Sequence, residues 1–169
     1  VMTVPLDHRI YTNGFLFELR EGERKLRIDE VRKFGIDKSH YHSIKKGADA
    51  PDGDGNMIPN HLLTEPPPPA KRYAYCSDTG YMPELAPRVS GVDVLYHEAT
   101  FLEVDADLAA KTKHSTARQA AQVALEAKAG NLILGHFSTR YKHLDRFLEE
   151  AAAIFPNVDL AADGKVFEW

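Results

Sequence analysis

Three short apolar runs, residues 73–77, 92–96 and 132–134, alternate with stretches of helical spacing, and this alternation constrains the fold most tightly. Runs this short suit buried strands. Between them, alanines at 117, 120, 121, 124 and 127 form a small-residue stripe that lets a helix pack close to a sheet. Thr116 with Gln119 three residues later makes a capping box at its start, and Gly130 stands where that helix is expected to stop. Leu144, Phe147, Leu148, Ala151 and Phe155 trace a second amphipathic face, closed by Pro156. Residues 158–160 and 166–168 are expected as strands around an Asp163-Gly164 turn. Strand alternating with helix makes the class α/β, and 169 residues can bury a core without disulfides or a structural metal.

Composition removes several classes of function. Hydrophobic residues make up 43% and charged residues 27%, the balance of a folded domain rather than a disordered one. The single cysteine, Cys76, excludes a disulfide framework and any Cys-based zinc module, and reads as an inert buried thiol. No run approaches the ~18 apolar residues of a membrane span, and VMTVPLDHRI lacks the layout of a signal peptide, so a cytoplasmic location without membrane partners is expected. The chain opens on Val1 with Met2 second, so a natural beginning further upstream is also expected.

A formal net charge of -4 argues against a surface uniformly basic for nucleic acid. Locally the balance differs: residues 20–46 hold nine basic against five acidic side chains, either a solvated face or an arm for phosphates. Residues 14–20, GFLFELR, suit a strand, whereas 21–70 differ in kind. They hold a short helix over 29–34, the turn-forming DAPDGDGN and a stiff four-proline run at 66–69, and read as a protruding insertion. DGDGN is expected as a hairpin turn and not a calcium loop, because Met57 and Leu63 stand where the loop's Gly and Glu would be.

Polar residues fall at the ends of the expected strands. The three apolar runs deliver Asp78, His97-Glu98 and His136 in turn, and in open α/β sheets sites gather at the carboxyl ends of strands. Carboxylate and imidazole together suit Zn²⁺, Mn²⁺ or Fe²⁺. The same residues fit an alternative in which His97 and His136 are satisfied core histidines and Asp78 caps a helix beginning near Met82.

YCSDTG, YHEATF, KHSTARQAA and LILGHFSTRY, in this order, resemble the carboxyl-terminal half of the ribonuclease Z family, transfer-RNA 3′-end nucleases of the metallo-β-lactamase superfamily. PLDHRIYTNGFLFEL resembles the strand of that family that carries a metal-binding histidine. The resemblance implies an αββα sandwich, of which residues 1–169 supply the carboxyl-terminal part, and two zinc ions per full-length subunit, with manganese as a possible substitute. It implies His8 on one metal, His136 on the other, and Asp78 bridging both. Two such ions orient water against the scissile phosphorus and neutralise charge on the attacking and leaving oxygens. His114 is implied as the group beside the scissile phosphate, with Glu98 as its orienting partner, and Arg140 as a phosphate contact through its planar fork. Residues 21–70 would be an inserted arm gripping precursor transfer RNA, one subunit of a homodimer serving the other, although DKSH at 37–40 replaces the family's Gly-Pro element. His40, His42, His61 and His143 match no motif and are expected at the surface, and Asp163 in a turn.

The His-x-His-x-Asp-His motif of such nucleases occurs nowhere in the chain. With His8, Asp78 and His136 alone each metal would have two protein ligands, so the chain is expected to be a carboxyl-terminal piece, inactive by itself, with the amino-terminal half absent. Two further readings stand beside the endoribonuclease: another phosphodiesterase or hydrolase of the superfamily, and a non-catalytic module that binds RNA or a partner.

Overall fold

The computed structural model describes residues 1–169, which divide into two compact units, residues 1–18 with 71–169 and residues 19–70. The first begins with an antiparallel pair, β1 (Met2–Leu6) and β2 (Thr12–Glu18). The chain then enters the second unit through β3 (Lys25–Leu26), α1 (Ile28–Lys33), α2 (Tyr41–Lys45), β4 (Ala50–Pro51), β5 (Met57–Ile58), α3 (Asn60–Leu63) and β6 (Thr64–Glu65). It re-enters the first with β7 (Arg72–Cys76), α4 (Leu85–Arg88), β8 (Val94–Glu98), α5 (Ala106–Thr112), α6 (Ala117–Ala127), β9 (Asn131–Gly135), α7 (Asp145–Ala152) and β10 (Val158–Leu160).

The first unit is built on a six-stranded sheet in the order β1-β2-β7-β8-β9-β10. The β1-β2-β7 side is antiparallel, and β7 to β10 run parallel, as their helical crossovers require. One face carries the helices. Ala74, Leu95, Leu132 and Leu134 are buried there with Leu85 and Val89 of the α4 region, the five alanines of α6, and Phe147 and Ala151 of α7. Thr116 caps α6 as expected: its hydroxyl accepts from the Gln119 amide at 3.2 Å while the Gln119 side chain accepts from the Thr116 amide at 2.9 Å. The other face is aromatic and open, with Phe17 stacked on Tyr73 at 5.8 Å and Tyr75 on Tyr96 at 4.7 Å.

The second unit has its own small core of Val31, Ile36, Ile44, Ala50 and Leu63. Buried Asn60 ties it together, donating to the carbonyls of Ile44 at 2.7 Å and Ala48 at 2.8 Å and accepting from the Thr64 hydroxyl at 2.8 Å. DGDGN forms the expected hairpin turn between β4 and β5, and the Asp52 carboxylate accepts from the amides of Asp54 and Asn56 within it. Asp37 caps a single 3₁₀ turn at Lys38–His40 through the Ser39 amide at 2.9 Å.

Three expectations are corrected. Gly130 does not end α6: Lys128 adopts the left-handed C-cap, and Gly130 is needed because a Cβ there would lie 2.6 Å from the Asp93 carbonyl oxygen. Residues 166–168 form no strand: the sheet ends at β10, and the segment lines a cavity over Val94, Asn131 and Ile133 on the open face. Asp78 caps no helix, since α4 starts only at Leu85.

Candidate metal and phosphate site

Parallel pairing aligns the carboxyl ends of β7, β8 and β9, with Cys76 beside His97 and Glu98 beside Gly135. Asp78 follows β7 by two residues, Glu98 ends β8, and His136 follows β9 directly. His114 precedes the capping box of α6. Ligand atoms of Asp78, Glu98, His114 and His136 all lie within 4.8 Å of one another, so the structure brings four of the six sequence-derived site residues into one cluster.

Local geometry explains how they converge. Asp78 and His136 both have positive φ, 57° and 60°, a left-handed conformation that costs an L residue about 1–2 kcal/mol. Gly135, the last residue of β9, leaves room for Tyr96, because a Cβ at that position would overlap the Tyr96 hydroxyl.

The cluster has a buried part and an open part. Glu98 is fully buried and accepts from the Thr79 amide at 2.7 Å, His114 Nδ1 at 2.8 Å, the Thr100 hydroxyl at 2.6 Å, and the amides of Ser115 and Thr100 at 3.1 and 3.3 Å. On the open part His136 Nε2 stands 3.0 Å from Asp78 Oδ1, with 40% and 44% of their side chains exposed. His8 lies beside the four rather than among them. Its Nδ1 donates to the Lys113 carbonyl at 2.9 Å, which leaves Nε2 free of that bond, and its neighbour Asp7 pairs with the Lys113 ammonium at 2.7 Å. The rings of His8, His114 and His136 form a row, with centroid spacings of 5.0 and 5.3 Å.

Arg140 stands apart from the four. It pairs with Asp105 at 3.3 Å and lies over the Phe101 ring, whose edge faces His114 at 6.2 Å between centroids. The Tyr141 hydroxyl donates to the same Asp105. His97 is a core histidine, fully buried, its Nδ1 donating to the Glu98 carbonyl at 2.7 Å, and desolvation holds its pKa below the ordinary imidazole value. His136 is not one. Burial pushes the Cys76 thiol up to about 12, which keeps it inert. Sequence reasoning missed Thr79, Thr100 and Ser115 as donors to Glu98. The signal was present, since Thr100 and Ser115 lie inside the motifs YHEATF and KHSTARQAA.

The donor set fits a divalent metal. Asp78 and His136 offer a carboxylate oxygen and an imidazole nitrogen that face each other on exposed, conformationally forced backbone, whereas Glu98 is saturated by hydrogen bonds and serves as a holder of other groups.

A family model described as a beta-lactamase superfamily domain matches residues 63–137. The chain is 47% identical over 163 residues to "Ribonuclease Z" of Bacteroides thetaiotaomicron, covering 96% of this chain and 52% of that protein. It is 46% identical over 155 residues to the Porphyromonas gingivalis protein of the same name, covering 92% and 51%. The chain thus spans about half the length of the relatives it matches. Among solved structures, human tRNase Z, short form, superposes with a TM-score of 0.54 at 20% identity, over 98% of this chain and 41% of that one, which speaks for the fold. The metallo-beta-lactamase fold protein YhfI from Bacillus subtilis gives 0.54 at 26% identity over 57% and 39%. Fold and cluster together imply use of a divalent metal. The chain therefore has the metallo-β-lactamase fold and, over nearly all of its length, is similar in sequence to about half the length of the ribonuclease Z proteins it matches.

Proposed function

We propose that these 169 residues act as the carboxyl-terminal part of a metal-dependent endoribonuclease that removes 3′ trailers from precursor transfer RNA. The observation that carries this reading is the cluster of Asp78, Glu98, His114 and His136 at the ends of adjacent parallel strands, in a chain 47% identical to a ribonuclease Z. Asp78 and His136, with His8 beside them, would hold zinc, two ions per full-length subunit, while the remaining ligands would come from outside this sequence. Such ions supply electrophilic stabilisation of the phosphoryl oxygens and activation of water.

The chain's own groups do the rest. His114, oriented through Nδ1 by Glu98, directs Nε2 as a proton donor to the departing 3′ oxygen. Arg140 exchanges Asp105 for a substrate phosphate, to which its planar fork is equally suited. Residues 21–70 grip the body of the transfer RNA. Arg20, Lys25, Arg27, Arg32, Lys33, Lys38 and Lys46 of the second unit are all exposed, which supports phosphate contact. The open aromatic face of the sheet supports its being covered by a second sheet from the other half of the enzyme, and the whole works as a cytoplasmic homodimer.

The test is cleavage of a precursor transfer RNA bearing a 3′ trailer by the full-length enzyme. His114→Ala is expected to slow it by about 10²–10⁴-fold, and His136→Ala to abolish it. Full cleavage by His136→Ala would overturn the metal role. Processing by the purified 169-residue chain alone would overturn the assignment of the missing ligands to the other half.

A further inference from the structure

Three backbone amides, those of Thr79, Thr100 and Ser115, donate to the two oxygens of Glu98. An amide N–H can only donate, so both oxygens are committed as acceptors. The Thr100 hydroxyl, 2.6 Å from Oε2, has a single proton, and that proton points at Glu98. Its oxygen then has only acceptor capacity left, and His136 Nδ1 lies 2.8 Å away. The proton between them belongs to Nδ1. His136 Nε2 is thereby the atom turned to Asp78 at 3.0 Å.

From this chain of donors we infer that Thr100 is a positioning residue that relays the acceptor character of Glu98 to His136 and fixes the tautomer of that imidazole. Glu98 orients His114 directly, through Nδ1 at 2.8 Å, and orients His136 at one remove, through the hydroxyl. A single buried carboxylate thus aligns two imidazoles on the open side of the site. Burial is distributed accordingly. Thr100 is 7% exposed, while the His136 side chain is 40% exposed and its backbone is in the left-handed region, so the interior hydroxyl is the anchor that holds the ring. The use to which the relay is put rests on the metal reading given above, whereas the order of hydrogen bonds does not.

The experiment is long-range ¹H–¹⁵N correlation of the histidine rings in the ¹⁵N-labelled 169-residue chain, which reads which ring nitrogen carries a proton. Wild type and Thr100→Ser should both show His136 as the Nδ1–H form, with that proton protected from exchange. Thr100→Val, which keeps the shape and removes the hydroxyl, should shift His136 to the Nε2–H form and lose the protected proton. A wild-type His136 in the Nε2–H form overturns the inference, as does a folded Thr100→Val with the wild-type signature. If Thr100→Val does not fold, the wild-type and Thr100→Ser spectra decide. Zinc titration of the same samples separates the two readings. A 10–100-fold weaker affinity in Thr100→Val, restored in Thr100→Ser, supports both. A wild-type chain that takes up no divalent ion, alone or joined to its other half, counts against the metal reading, and the tautomer still decides this one.

Discussion

Glu98 and Asp78 are carboxylates at the ends of neighbouring parallel strands, β8 and β7, yet their surroundings are opposite. Glu98 is fully buried among donors from three different loops, on ordinary strand backbone. Asp78 is 44% exposed, faces His136, and sits at φ 57°. A buried carboxylate saturated with hydrogen bonds contributes to folding and cannot readily change partners. An exposed carboxylate on forced backbone contributes little to folding and is available to a ligand. The site therefore separates organisation from binding, and each half can be tested by its effect on stability.

The largest effect is expected at Glu98. Glu98→Ala would strand buried donors of Thr79, Thr100, His114 and Ser115 at once, and should cost about 3–5 kcal/mol, read as an earlier midpoint in urea unfolding. A loss below about 1 kcal/mol would remove the organising role of Glu98 and with it the contrast.

Next comes Gly135→Ala. The added Cβ would overlap the Tyr96 ring, which is stacked on Tyr75, so the strand end that leads into His136 must shift. About 1–3 kcal/mol of stability should go, by the same unfolding measurement, and zinc uptake should fall with it. Unchanged stability would mean that Tyr96 swings into the open face at no cost, and that the His136 side of the site is looser than its packing indicates.

A third test concerns pH and belongs to the organising half. His97 donates to the Glu98 carbonyl from a fully buried ring, and burial lowers its pKa. The native state therefore keeps His97 neutral while the unfolded chain takes up a proton near pH 6.5. The stabilisation that depends on neutral His97 is complete above about 6.5 and is lost as pH falls from there toward the lower native pKa, by up to ~1.4 kcal/mol per pH unit. His97→Phe should flatten this limb of the stability profile. A variant with the wild-type slope between pH 6.5 and 5 would show that His97 titrates freely and does not hold the Glu98 peptide.

What could be read from the sequence divides along the same line. The ends of the three parallel strands, the α6 cap and the alanine stripe are encoded by local pattern, and all four clustered residues stood in motifs. Unit boundaries near residues 19 and 70 also coincide with shifts in composition. What the pattern did not show was backbone conformation and long-range partnership. Lys128, Asp78 and His136 are left-handed without being glycine, because the surrounding packing and not their own propensity sets φ. Residues 166–168 have strand-like composition, yet they lie beside Val94, Asn131 and Ile133 on the open face and leave the free edge of β10 unpaired. The step from Thr100 to His136 joins residues 36 apart in sequence, and no spacing rule encodes it.

The smallest expected effect is the most discriminating. If Asp78 is held in its conformation for a ligand and not for the fold, Asp78→Gly should leave the metal-free chain as stable as wild type or slightly more so. Glycine removes roughly 1 kcal/mol of left-handed strain at φ 57°, and the greater freedom of glycine in the unfolded chain takes back part of it, for a net gain of about 0.5 kcal/mol. Removing the carboxylate that faces His136 Nε2 at 3.0 Å changes this balance little, since both side chains are around two-fifths exposed and solvent screens them. Urea unfolding without metal reads the balance, and repeating it with zinc reads the function: wild type should gain stability from the ion and Asp78→Gly should not. A destabilisation of 1 kcal/mol or more in the absence of metal would place Asp78 with Glu98 among the groups that hold the fold together.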